Sequence, residues 1–115
     1  MPMKSTLRDA FEAELRQATA AERDGELPRA WRHLERAHIL SQAHAGPHVR
    51  VHVLMFAFGW RRRDARELFG QLPRILVAAP GSWLRRAPLG NTGGANVGIF
   101  TPMPIPEDLR ALLEA

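Results

Sequence analysis

Apolar residues recur at intervals of three and four from about residue 5 to residue 79, which is the pattern of helices that bury one face. The pattern is interrupted at Asp24-Gly25, at Ala45-Gly46-Pro47 and again before Asp64, where turn-forming or charged residues replace it. Four helices are therefore predicted. Because the connections between them are only a few residues long, consecutive helices should run antiparallel.

Each predicted helix has a recognisable start or end and one apolar stripe. Ser5 or Thr6 caps the first helix. The second helix has Pro28 in its first turn and ends near Gln42. The third helix runs towards Trp60, and the fourth starts near Asp64. The positions expected to be buried are Leu7, Phe11, Ala18 and Ala21; then Ala30, Trp31, Leu34, Ala37, His38 and Leu40; then Val51, Leu54, Met55, Phe56 and Phe58; and finally Ala65, Leu68, Leu72, Ile75, Leu76 and Ala79.

The last third of the chain is less regular. Pro73 lies inside the fourth stripe, and an interior proline lacks the N–H of a helical hydrogen bond, so we expect a kink there or two short helices. Residues 80–106 are rich in Gly, Pro and Asn but keep several apolar side chains, which predicts an irregular strap lying over the helices. A short helix should follow at residues 107–114.

These features predict an all-α fold, an antiparallel bundle of about four helices arranged as αα-hairpins, with a Gly/Pro-rich strap and a short final helix. The length of 115 residues suits one domain, residues 1–115, with the bundle at about 5–79. No run approaches the roughly 20 apolar residues that cross a bilayer, and the first residues lack the apolar core of a signal peptide, so we expect no membrane association and a cytoplasmic location.

Composition narrows the possible chemistry. The chain contains no cysteine, which excludes disulfides, thiolate metal sites and thiol nucleophiles, so a metal ion would have to be held by nitrogen and oxygen. The net charge is only +4 and the arginines are dispersed, apart from Arg61-Arg62-Arg63, which suits a solvated turn. With few aromatic residues and no tyrosine, the composition argues against nucleic-acid binding.

All five histidines fall between His33 and His52, and their spacing suggests a metal site. Glu35 and His38 stand three residues apart on the second helix, and His48 and His52 stand four apart on the third, so each pair shares a helix face. If the turn lies at residues 43–46, equal counting from it brings His38 level with His52. His33 should point away from His38 to the surface.

The same counting extends the site to the outer helices. It sets Glu14 near the level of His38, on an otherwise apolar stripe where a buried carboxylate needs a partner. It also sets Gln71 level with His52, with Glu67 one turn nearer the third turn. The predicted metal ligands are thus His38, His52, His48, Glu35 and Glu14, in a mononuclear site for a divalent Zn, Ni, Cu, Co or Fe ion.

The chain also resembles a family of short bacterial proteins known only as a domain of unknown function. The residues that carry the resemblance are the run from Trp31 to Gln42, His48 with His52, Gly70-Gln71, the run from Gly90 to Val97, and the run from Pro102 to Pro106. The resemblance implies no activity, so the chemistry rests on the residues themselves.

The sequence leaves three interpretations of the function open. The first is a small metal-binding protein for sensing, buffering or detoxification. The second is a helical adaptor or oligomerisation module whose strap and Arg61–Arg66 face bind a protein partner or a second copy of the chain, and in which the histidines and glutamates form a structural hydrogen-bond network. The histidines could also form a pH-responsive interface. The third is an enzyme that uses a metal-bound water, which requires an open coordination position.

Overall fold

The computed structural model describes residues 3–83 and 102–115, and all regular structure within them is helical, as predicted. The five helices are α1 (Ser5–Arg23), α2 (Leu27–Ser41), α3 (Ala45–Arg62), α4 (Ala65–Trp83) and α5 (Glu107–Glu114). Within the described ranges no helix is long and apolar enough to cross a membrane.

The helix ends follow local sequence signals. After α1, Gly25 adopts a φ of +76°, which glycine reaches without strain, and the chain reverses into α2. After α3, Arg63 adopts the left-handed conformation and the N–H of Asp64 bonds to the carbonyl of Gly59. Asp64 then accepts a hydrogen bond from the backbone N–H of Glu67, 3.1 Å away, which caps α4. These turns are short, so α1–α2 and α3–α4 form two helical hairpins.

The apolar core lies between the two hairpins and under α5. One cluster contains residues from α1, α2 and α3, and its largest fully buried members are Phe11, Val51 and Met55. A second cluster, around Leu40 and Leu109, holds α5 against α1 and α2. Every residue predicted to be buried on α1 and α2 is buried except Trp31, which is half-buried, and Leu15, Ile39 and Ser41 are buried in addition.

The predicted buried side of α4 was wrong. The helix is not split at Pro73, which excludes the two short helices that were one of the two expected outcomes; Pro73 lies on the exposed side, where water can bond the carbonyl group that a proline leaves without a partner. Among the side chains of α4 that the structure describes, the buried ones are polar, namely Glu67, Gln71 and Arg74, whereas Leu72 and Leu76 of the predicted stripe are exposed. The expected burial of Ala65 and Ala79 lies outside the described side chains.

The strap is described only in part. Residues 80–83 belong to α4, contrary to the prediction that no helix extends past residue 79. Residues 84–101 lie outside the described ranges. At residues 102–106, Ile105 packs against the cluster around Leu40 and Leu109, so this end of the predicted strap does lie on the helices.

Candidate metal centre

Three histidine rings meet in the interior between α2 and α3. His38 comes from the last turn of α2, and His48 and His52 come from consecutive turns of α3. Their Nε2 atoms lie 3.1 Å apart for His38–His52, 3.1 Å for His38–His48 and 3.2 Å for His48–His52. Each residue is at most 5 % exposed. The predicted register of α2 against α3, with His38 level with His52, is therefore confirmed.

The triangle formed by these three nitrogens has the size that a metal ion requires. Imidazole nitrogens bound at about 2.0–2.1 Å are separated by about 2.9 Å at a right angle and by about 3.3 Å at a tetrahedral angle. The observed separations of 3.1–3.2 Å fall between these limits. The three rings can thus occupy one face of either a tetrahedral or an octahedral coordination sphere without moving.

The tautomer of His52 is fixed from α4. Its Nδ1 lies 2.7 Å from the side-chain oxygen of Gln71, which can only accept, so Nδ1 carries the proton. The amide nitrogen of Gln71 in turn donates to the carboxylate of Glu67, 2.7 Å away, which orients the amide. The Nε2 of His52 therefore presents its lone pair to the other two rings. Hydrogen bonding of a ligating histidine through its other nitrogen is the usual support of a metal site.

Burial keeps His52 neutral. Its pKa is lowered from 6.5 to about 4, chiefly by loss of hydration; the hydrogen bond to Gln71 partly opposes this, and the nearby Arg74 guanidinium adds a smaller lowering effect. A neutral ring is the form that binds metal ions. At neutral pH the Nε2 atom of His52 is therefore available as a ligand.

Hydrogen bonds alone satisfy the triangle poorly. A neutral imidazole carries one N–H, which points outward in the plane of its ring, and the N–H of His52 already points to Gln71. Hydrogen atoms on the Nε2 atoms of His38 and His48 could serve at most two of the three sides. A cation at the centre would satisfy all three nitrogens at once. The geometry therefore fits an ion better than a network of three mutual hydrogen bonds.

A family model described as a protein of unknown function, DUF3703, matches residues 5–113. The chain belongs to this family. No curated protein and no solved structure matches it. The family resemblance expected from the sequence is confirmed, and the chemistry of this DUF3703 chain has to be argued from its own geometry.

The structure does not bring Glu14 into the cluster of His38, His48 and His52. Its carboxylate accepts hydrogen bonds from Nδ1 of His33 at 2.6 Å and from Nε of Arg36 at 2.8 Å. Glu14 did need a partner, as its place on an apolar stripe indicated, but the partner is a pair of cationic or protonatable groups on α2. For the same reason His33 is half-buried, although we predicted it to lie on the surface.

Glu35 and His44 lie outside the cluster of three histidines. Among the described residues, the group whose ligand atoms lie within 4.8 Å of one another comprises His38, His48 and His52, and does not include Glu35. Glu35 is half-buried on α2, one turn before His38. His44 precedes the first residue of α3 and is outside the group.

The sequence predicted only part of the way in which α4 supports the histidine cluster. Counting across the third turn brought Gln71 level with His52, as the 2.7 Å hydrogen bond confirms. Gln71 and Glu67 form a chain of hydrogen bonds that ends at Nδ1 of His52, the ring nitrogen that faces away from the other two histidines. The signal that could have shown this is their spacing of four residues, which stacks one side chain on the other along a helix.

Proposed function

We propose that this protein binds one divalent transition-metal ion through the Nε2 atoms of His38, His48 and His52, for metal sensing, buffering or detoxification. The observation that supports the proposal is the convergence of three buried ring nitrogens at 3.1–3.2 Å from one another. Three such nitrogens repel one another unless protons or a cation lie between them.

The donor set limits the choice of ion. Three imidazole nitrogens without sulfur suit Zn, Ni, Cu(II), Co and Fe(II), and disfavour Mg and Ca, which prefer oxygen. The site is mononuclear because Glu14, which would have supplied a further carboxylate, is engaged by His33 and Arg36. The remaining coordination positions would be filled by water or by an oxygen donor, for which Glu35 is the acid nearest to His38 along α2.

The test is the metal content of protein purified without an affinity tag. Wild-type protein should retain close to one metal ion per chain after dialysis against a defined mixture of these ions. A His38→Ala, His52→Ala double variant should retain none. His44→Ala is the matched control, because it removes a histidine outside the cluster, and it should bind like wild type. Circular dichroism checks that all three proteins are helical.

Equal metal in the double variant and wild type would refute the proposal. So would wild-type protein that stays metal-free in the presence of every ion of the series while remaining folded. The second result would favour the alternative function, a non-catalytic helical oligomerisation module in which the histidines are structural. The observation in favour of that alternative is the exposed apolar surface of α4.

A further inference from the structure

The helix α4 is amphipathic in the reverse sense, with its polar side buried and its apolar side exposed. Glu67, Gln71 and Arg74 face inward, while Phe69 is 75 % and Leu76 is 78 % exposed. Among the described helices α4 packs only against α3. An apolar helix side normally faces a core, so its exposure here calls for a partner.

The exposed side of α3 continues this surface. On α3, Val51 and Met55 face α1 and α2, and His52 and Gly59 face α4. At 100° per residue, Val53 lies on the side opposite Val51, as does Trp60, which is 68 % exposed and whose ring stacks with that of Phe56.

On α4, the apolar residues rotate away from Gln71 towards the same side of the hairpin, because the two helices run antiparallel. The resulting surface, which we call the hairpin face, is made of apolar side chains. Its members on α3 are Val49, Val53, Phe56, Ala57 and Trp60, and its members on α4 are Leu68, Phe69, Leu72, Ile75 and Leu76.

The size of the hairpin face matches a dimer interface. Its most exposed members are Trp60, Phe69 and Leu76, and Val53 and Leu72 are close to half exposed. With ~150–250 Å² for each aromatic side chain and somewhat less for each aliphatic one, they expose about 500–600 Å² of apolar surface. A standard interface buries about 800 Å² per partner, of which ~60 % is apolar. The hairpin face thus supplies the apolar part of one complete interface.

We propose that the hairpin face binds a second copy of this chain about a two-fold axis. Apolar side chains offer nothing that would select an acidic or basic partner or an anionic membrane. It is instead complementary to itself, because two antiparallel helices with apolar stripes can pack against the same pair in a second copy. This inference does not depend on the proposed metal site, which lies on the other side of α3.

The experiment is the molar mass of the full chain in solution, measured by light scattering during gel filtration at several concentrations. Wild-type protein should have twice the 12.9 kDa mass of one chain. Leu76→Glu and Phe69→Glu each place a charge in the hairpin face and should give monomers. Leu113→Glu is the matched control, because Leu113 is an exposed leucine on α5, and it should remain a dimer.

Two results would overturn the proposal. The first is a wild-type monomer over the whole concentration range, which would mean that residues 84–101 or a different partner cover the hairpin face. The second is a dimer that both glutamate variants leave intact, which would place the interface elsewhere. Since both substituted side chains are exposed in one chain, the variants should fold, and circular dichroism verifies this.

Discussion

His52 on α3 donates its Nδ1 proton to the side-chain oxygen of Gln71 on α4, over 2.7 Å. This bond explains why α4 turns a polar side towards its neighbour. The buried face of α4 serves the histidine cluster, since Gln71 holds the ring and Glu67 holds Gln71. The apolar side of α4 is consequently left outward. The hydrogen bonds that hold His52 thus determine which side of α4 faces the interior.

The first prediction concerns this support. Gln71→Ala should leave the three ring nitrogens in the protein but weaken metal affinity about 10–100-fold, because the ring and tautomer of His52 are no longer fixed. Competition with a chromogenic chelator measures the affinity. Gln17→Ala, a glutamine on the exposed side of α1, is the control and should bind like wild type. An unchanged affinity in Gln71→Ala would show that the hydrogen bond does not position a ligand.

The second prediction separates Glu14 from the metal site. Glu14→Gln should retain the full metal content, because its carboxylate lies with His33 and Arg36. It should also lower the free energy of unfolding by about 1–3 kcal/mol, since charge-assisted hydrogen bonds to a largely buried carboxylate are lost. Metal analysis and urea unfolding of the same preparation test both parts. Loss of metal from a folded Glu14→Gln protein would make Glu14 a ligand after all.

The contrast between Glu14 and His38 shows what the sequence could and could not predict. Helical periodicity and short turns fix which residues stand level, so the His38–His52 pairing followed from counting. Counting across the first turn set Glu14 near the level of His38, whereas its partners are His33 and Arg36, which lie nearer that turn. Counting also could not tell on which side of α2 the carboxylate would find a partner. That choice depends on the rotation of α1 about its axis.

The orientation of α4 escaped prediction for a related reason. Hydrophobic periodicity assigns the apolar side to the interior, and Leu72 and Leu76 obey the period perfectly. The actual inward side is selected by hydrogen bonds among His52, Gln71 and Glu67, whose energies are not visible in a hydrophobic pattern. A helix that supports a polar site and also offers an apolar surface outward reverses the usual rule.

The third prediction is a pH dependence of the stability of the metal-free protein. Burial lowers the pKa of His52 to about 4, while the unfolded chain keeps a value near 6.5. Between these values the unfolded state binds more protons than the folded state, so stability rises with pH. This contribution is fully present above about pH 6.5 and is lost as the pH falls towards 4.

Urea unfolding at pH 7.5 and pH 5 in the presence of a chelator tests it. Wild-type protein should be clearly less stable at pH 5, and His52→Gln should show a smaller difference between the two pH values. Glu22, whose pKa is lowered below its ordinary 4.5 chiefly by a hydrogen bond from Arg61, also loses its contribution to stability at low pH, but it is present in both proteins and cancels in the comparison. Equal pH dependence in the two proteins would rule out His52 as the cause.

The fourth prediction uses two glycines of α3 that differ in what surrounds them. A Cβ on Gly46 would meet nothing within 4 Å apart from its chain neighbours. Gly46 lies in the first turn of α3 and precedes Pro47, whose ring disfavours the helical conformation of a preceding alanine, so Gly46→Ala should bring no gain in stability. A Cβ on Gly59 would lie 3.3 Å from the Cβ of Glu67, which is tighter than ordinary contact. Gly59→Ala must therefore push α4 outward or shift Glu67.

Because Glu67 holds Gln71 and Gln71 holds His52, a shift at Gly59 should reach the metal site two hydrogen bonds away. We expect Gly59→Ala to gain no stability and to bind metal more weakly than wild type, whereas Gly46→Ala binds normally. Urea unfolding and chelator competition on both variants distinguish the two positions. A Gly59→Ala protein that is more stable than wild type and binds metal with unchanged affinity would mean that α4 yields freely and that its spacing from α3 does not control the site.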